Sequence, residues 1–136
     1  MTQGEQNMLE GLRALGLAPH VPQAEFVAFS WEVELGPLVG EAIELGFKVP
    51  PDFGLSAPGG VLVRPHLLPF STEGSEHPLS GVHPASVPGV ADDTWQYWSR
   101  PHPNWAATDR SVNVLLAHVR HLFDTLPSDL RLPNAA

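Results

Sequence analysis

Ser99, His102 and Asp109 fall within one short stretch of the chain and hold the parts of an acyl-transfer site: a hydroxyl, an imidazole and a carboxylate. A serine oxygen is a poor nucleophile until a base takes its proton. A histidine serves as that base if the loop bends it to within hydrogen-bond reach. His102 follows Ser99 across Pro101, and Asp109 stands where a helix is expected to begin. The N-terminus of that helix would offer positive potential to a developing oxyanion. Around these groups the run WQYWSRPHPNW (residues 95–105) gathers Trp95, Tyr97, Trp98, Arg100 and Trp105. Tyr97, Trp98 and Arg100 are the candidate binding residues.

Each of these residues also has a plainer role. A serine after a tryptophan commonly bonds loop backbone. His102 fits a partly exposed turn, and Arg100 has many acidic side chains to pair with. The tryptophans fit a core, because aromatic side chains dominate core area. Asp109 fits a helix cap. No metal is expected. His66, His77 and His83, with Glu73 and Glu76 nearby, follow no His-x-His or His-Glu-x-x-His spacing. His118 and His121 lie i, i+3 on the expected last helix but flank its apolar stripe, which places them on the surface. No other cofactor is expected.

Composition narrows the classes. A chain of 136 residues with 43% hydrophobic content has the length of one domain and material for a core. Residues 1–4 and 128–136 are expected to fray. The formal net charge is -8, and no basic run occurs, so nucleic acid is not an expected partner; a basic protein face suits the charge better. There is no cysteine, which excludes disulfides, thiolate metal sites and a thiol nucleophile. The opening MTQGEQNMLEGLRALG lacks a basic region followed by an apolar run, so no leader is expected. No stretch is apolar enough for a membrane span. A cytoplasmic protein without membrane contact is the expectation.

The elements that must position the site follow from periodicity. Met8, Leu9, Leu12 and Leu15 predict a helix over 5–16. Val27, Phe29, Trp31, Val33 and Leu35 alternate with smaller or polar residues, which predicts a half-buried strand over 25–35. A second strand is expected over 38–49 and a third over 60–64. Residues 65–94 form a long loop rich in proline, histidine and glycine, of the kind that serves a site. Val112, Leu115, Leu116, Val119, Leu122, Phe123 and Leu126 predict a helix over 109–126, capped by Thr108 or Asp109. The order is an α+β domain: helix, antiparallel meander, long loop, long helix.

That order resembles the ubiquitin-conjugating fold, with VPPDFGLSAPGGVLVRPHL in its middle and Trp105 before the last helix. Val49-Pro50, Phe53, Leu55, Pro58 and the strand at Val61 follow the shape of the family's proline-rich segment. The run Trp95, Trp98-Ser99-Arg100, His102, Trp105, followed by Asp109 and an apolar helix, is most similar to divergent prokaryotic members. The likeness extends over residues 5–126. It implies an N-terminal helix, an antiparallel meander sheet, a long active-site loop over 65–94 and a long C-terminal helix. It also implies a carrier in a bacterial conjugation pathway, with a ubiquitin-like protein and an activating enzyme as partners. Two departures stand out. The family's His-Pro-Asn element is His83-Pro84-Ala85 here, without the asparagine. The family's cysteine is absent; its spacing to the tryptophan falls on Tyr97, and Ser99 is the nearest hydroxyl. A carrier of this type would therefore hold its cargo as an oxyester on Ser99. The alternative is an inactive adaptor of the same fold that binds the ubiquitin-like protein or the activating enzyme.

Overall fold

The structure, a computed structural model, describes residues 1–70 and 81–130. Helix α1 spans Gln3–Ala14 and begins earlier than its apolar periodicity suggests. Thr2 is the reason. Its hydroxyl accepts from the Glu5 backbone N–H at 3.0 Å, and the Glu5 carboxylate accepts from the Thr2 N–H at 2.9 Å. This reciprocal box satisfies two helix-end donors at once. Thr2, Gln3 and Gly4, in the segment expected to fray, form the cap and the first residues of this helix. Glu5 is buried, and its second carboxylate oxygen accepts from Glu25 N–H at 3.2 Å. The Thr2 amide, followed by that of Glu25, holds the Glu5 carboxyl below its usual range against the opposing effect of burial. The stabilisation is present above the ordinary carboxylate range and is lost as pH falls through the lowered value.

Among the described residues six strands form one antiparallel sheet: β1 His20–Gln23, β2 Phe26–Glu32, β3 Ala42–Lys48, β4 Val61–Arg64, β5 Val82–Pro84 and β6 Gln96–Trp98, in the order β1-β2-β3-β4-β6-β5. Strands β2, β3 and β4 fall inside the windows expected over 25–35, 38–49 and 60–64. Strands β1, β5 and β6 do not come from the sequence reading; they are three or four residues long, and β1 and β5 contain proline. Strand β5 lies within the stretch expected to be a continuous loop, of which residues 71–80 lie outside the described residues. Helix α2 spans Val112–Asp124, and its cap is Ser111, whose hydroxyl accepts from Val114 N–H at 3.2 Å. Leu130, in the tail expected to fray, packs against the core. No helix of the described residues is long and apolar enough to cross a membrane.

Both helices cover one face of the sheet. Met8 and Leu12 of α1 join Leu116 and Phe123 of α2 over Phe29, Leu45, Val63 and Trp98. A strand alternates its side chains between faces, so Trp95 and Trp98, three residues apart, point to opposite sides. Trp98 enters this inner core and lies on the Phe123 ring at 5.2 Å. Trp95 enters a second, smaller cluster on the outer face with Phe26, Ala28, Leu62, Ala85 and Val90. Ala28 was expected on the solvent side of β2 and is fully buried there instead. Gly46 makes room for this cluster: a Cβ there would come within 2.4 Å of the Phe26 ring.

Gln96, between the two tryptophans, is fully buried. Its carbonyl oxygen accepts from Leu67 N–H at 3.2 Å, Leu68 N–H at 3.1 Å and Trp98 Nε1–H at 3.0 Å, and its amide nitrogen donates to the Leu68 carbonyl. Removing the side chain strands these buried polar groups, each at about 1–3 kcal/mol. Gln96→Leu is therefore expected to lower unfolding stability by about 3–5 kcal/mol. Urea unfolding followed by tryptophan fluorescence measures it, and a loss below about 1 kcal/mol would refute this role for the amide.

Candidate functional site

The predicted site residues run from β6, which holds Tyr97 and Trp98, through the loop that leads into α2. Ser99 is exposed, and its N–H donates to the Gly81 carbonyl at 2.7 Å, which prolongs the β5–β6 pairing by one residue. Its hydroxyl lies on the same face as the Tyr97 phenol, two positions back along the strand. Burial pushes the Tyr97 phenol above its usual value, and the Ser99 hydroxyl only partly offsets this, so Tyr97 stays protonated at neutral pH. Tyr97 stands opposite Leu62 on one side and His83 on the other, with the His83 ring at 6.5 Å. The approach of β4 depends on Gly60, where a Cβ would lie 2.1 Å from the Trp98 carbonyl oxygen.

Arg100 lies across Gly81, and its Nη1 donates to the Ser99 carbonyl at 3.4 Å. Burial lowers its guanidinium pKa, but an arginine remains charged at any pH the fold survives. The Arg100 carbonyl accepts from His118 Nε2–H at 2.8 Å. His118, on α2, is half-buried rather than on the open surface as its place beside the apolar stripe suggests. Its ring lies 5.2 Å from that of His102, and the His102 ring meets Trp105 edge-on at 5.8 Å. Trp105 opens a short 3-10 turn, Trp105–Ala107, packs on Phe53 and donates from Nε1 to the Gly54 carbonyl at 3.0 Å. The chain from Trp98 to α2 is thus held by Gly81, His118 and Gly54.

Hydrogen bonds fix the proton positions. A carbonyl only accepts, so His118 carries its proton on Nε2. Nδ1 of His102 accepts from the Asn104 backbone N–H at 3.0 Å, so neutral His102 also carries its proton on Nε2. The single lone pair of the neutral His102 ring therefore points at an amide. Asp109 is bound elsewhere: its Oδ1 accepts from Ser111 N–H at 3.2 Å, in the turn where Arg110 takes a positive φ of 58°. The structure brings Ser99 to Tyr97 and His102 to His118, and it places Asp109 with Ser111. Among the described residues no cluster of three or more histidine, aspartate or glutamate side chains could hold a metal; His77, Glu73 and Glu76 lie outside them. Of the two residues that bind the backbone on either side of the site, Gln96 was not singled out from the sequence, and His118 was read only as a surface residue beside His121. A polar residue flanked by aromatics was the available signal for Gln96.

No family model, no curated protein and no solved structure matches this chain.

His118 ties pH to stability. Burial depresses its pKa below 6.5, and the nearby His102 and His121 add to this, against the raising effect of its bond to Arg100. The folded state therefore binds the proton less readily than the unfolded state. The stabilisation is complete above 6.5 and is lost as pH falls from there through the lowered value. His118→Gln retains a donor for the Arg100 carbonyl but does not titrate. It is expected to flatten the decline of thermal stability with acidification below that pH, and a wild-type slope retained in the variant would refute the assignment.

Proposed function

We propose that this chain is a non-catalytic adaptor of the ubiquitin-conjugating-like type, which binds a ubiquitin-like protein or its activating enzyme in the cytoplasm. The order of elements supports the fold assignment: a helix, a four-strand meander with the proline-rich segment between β3 and β4, the short β5–β6 pair and a tryptophan before the last helix. The observation that carries the adaptor reading is the state of the imidazole. With Nδ1 of His102 occupied by Asn104 and a proton on Nε2, the neutral His102 ring offers Ser99 no free lone pair. Asp109, bonded to Ser111, does not orient that ring. A hydroxyl without a base is a weak acyl acceptor. The absent cysteine and the alanine after His83-Pro84 favour the same reading.

A second reading keeps the chain as a carrier with an oxyester on Ser99. It is favoured by the exposure of Ser99 at the end of β6, where its hydroxyl is open to a partner. One assay separates the two. The protein is incubated with ATP, the activating enzymes and the ubiquitin-like proteins of its own cell; complexes are scored natively and adducts on a denaturing gel. Binding that persists in Ser99→Ala, with no adduct, is the expected result. An adduct that resists thiol reductant, breaks with hydroxide and disappears in Ser99→Ala would establish the carrier instead. Absence of both binding and adduct would overturn the family of readings.

A further inference from the structure

We infer that residues 85–95 form a strap that closes the outer face of the sheet and opens as a unit while the rest of the domain stays folded. The strap leaves β5 at Pro84 and reaches β1 at the opposite edge of the sheet, where Gln23 holds it twice. Gln23 Nε2 donates to the Gly89 carbonyl at 3.0 Å, and Gln23 Oε1 accepts from Ala91 N–H at 3.0 Å. It then returns to Trp95 at the head of β6. Beneath it lie Phe26, Ala28 and Leu62, each 1% exposed or less. These belong to a cluster separate from the core under the helices.

Three observations make this a cover rather than part of the sheet. First, its backbone bonds close on itself. Val87 N–H donates to Pro84, Gly89 N–H to Ser86, Val90 N–H to Ala85 and Trp95 N–H to Asp92, at 3.0–3.4 Å. Lifting the strap breaks no ladder of the sheet. Second, its fastenings are three side chains. Gln23 is one; Arg64 is another, whose Nη1 donates to Thr94 Oγ1 at 3.1 Å, lies 3.6 Å from the Asp92 carboxylate and sits with its guanidinium 4.5 Å from the Trp95 ring centre; the third is His66, whose Nε2 lies 2.9 Å from the Asp93 carbonyl oxygen and 3.1 Å from that of Trp95. Third, it commits few apolar groups to the face: Ala85, Val90 and Trp95 are buried, while Val87 is 58% exposed. Segments with few buried contacts open at lower free energy than the core they cover. The closed strap denies Phe26, Ala28 and Leu62 to any partner, and opening bares them as one apolar patch. The inference does not depend on the adaptor reading.

Amide hydrogen exchange of the intact chain tests it. In wild type the Val87, Gly89 and Val90 amides are expected to exchange roughly tenfold or more faster than those of Phe29 and Leu45, yet slower than free peptide. The N–H groups of these three strap residues do not bond Gln23, so they report the unit and not the clasp. Gln23→Ala removes two hydrogen bonds and is expected to speed all three together about tenfold, with Phe29 and Leu45 changed less than about twofold. Exchange of the strap at the rate of β2 and β3 would overturn the inference, since it would then open only with the whole fold. Exchange at the free-peptide rate would overturn it as well, since the face would then not be closed. A Gln23→Ala effect confined to Ala91 would show a local bond rather than a clasp.

Discussion

The Gln96 carboxamide is closed off from water and bonded on every side, and the two halves of the sheet meet through it. Its oxygen collects the N–H groups of Leu67 and Leu68, which leave β4, and the indole N–H of Trp98 on its own strand. Each of those donors would otherwise be stranded where water does not reach, which costs far more than a hydrogen bond ordinarily contributes. The amide therefore fixes where the chain goes after β4 and, through the Trp98 indole, how the tryptophan on β6 is turned. Trp98 then sets the floor for Phe123 and α2. The loop from Ser99 to Trp105 hangs between these two anchored elements.

A sheet with helices on one face commonly leaves the other face to solvent. Here the outer face is divided. Toward the β1 end of β2 it is dry, under Phe26, Trp95 and the strap. Farther along, Ser30 and Glu32 are exposed, and Glu44 of β3 pairs with Arg64 through the Nη2 and Nε of one guanidinium edge at 2.6 and 3.1 Å. Arg64 joins the two regions: it meets Glu44 in the polar part and lies against Trp95 in the apolar part. With three oxygen-bearing partners and a ring it acts as a junction, and its planar fork suits that task better than a lysine ammonium would.

The residues explain which parts of this fold could be read from sequence. Strands β2 and β3 were legible because the helices cover one face and enforce alternation in Phe29, Trp31, Ile43, Leu45 and Phe47. Helix α2 was legible from its apolar stripe, but its first turn was not. Thr108, Asp109 and Ser111 are all capping types, and only the backbone decides among them: Arg110 at φ 58° stops a helix from starting before Ser111. Thr108 Oγ1 and Asp109 Oδ1 instead accept from the N–H groups of Arg110 and Ser111. Strand β6 was hidden because alternation in WQYW places a tryptophan on each face, and a sequence with both faces apolar has no period to detect. The site was legible only as a neighbourhood. Ser99 and His102 are close along the chain, but chain proximity says nothing about which nitrogen of a ring carries the proton.

That proton decides between chemistry and architecture in this loop. For His102 to serve Ser99 as a base, Nε2 must be bare, so the proton must move to Nδ1, which now accepts from Asn104. The switch would set two donors against each other in the turn and would need a new acceptor for Nδ1–H. In serine hydrolases a carboxylate provides that acceptor and holds the useful tautomer. The carboxylate available in sequence, Asp109, is engaged with Ser111. His118 is similarly committed, since its Nε2–H closes on Arg100. Both imidazoles thus pin backbone, His118 through a donor and His102 through an acceptor, with Trp105 and the opposing ring as the packing of His102. The same two residue types that make a base–nucleophile pair in one tautomer here brace a loop in the other.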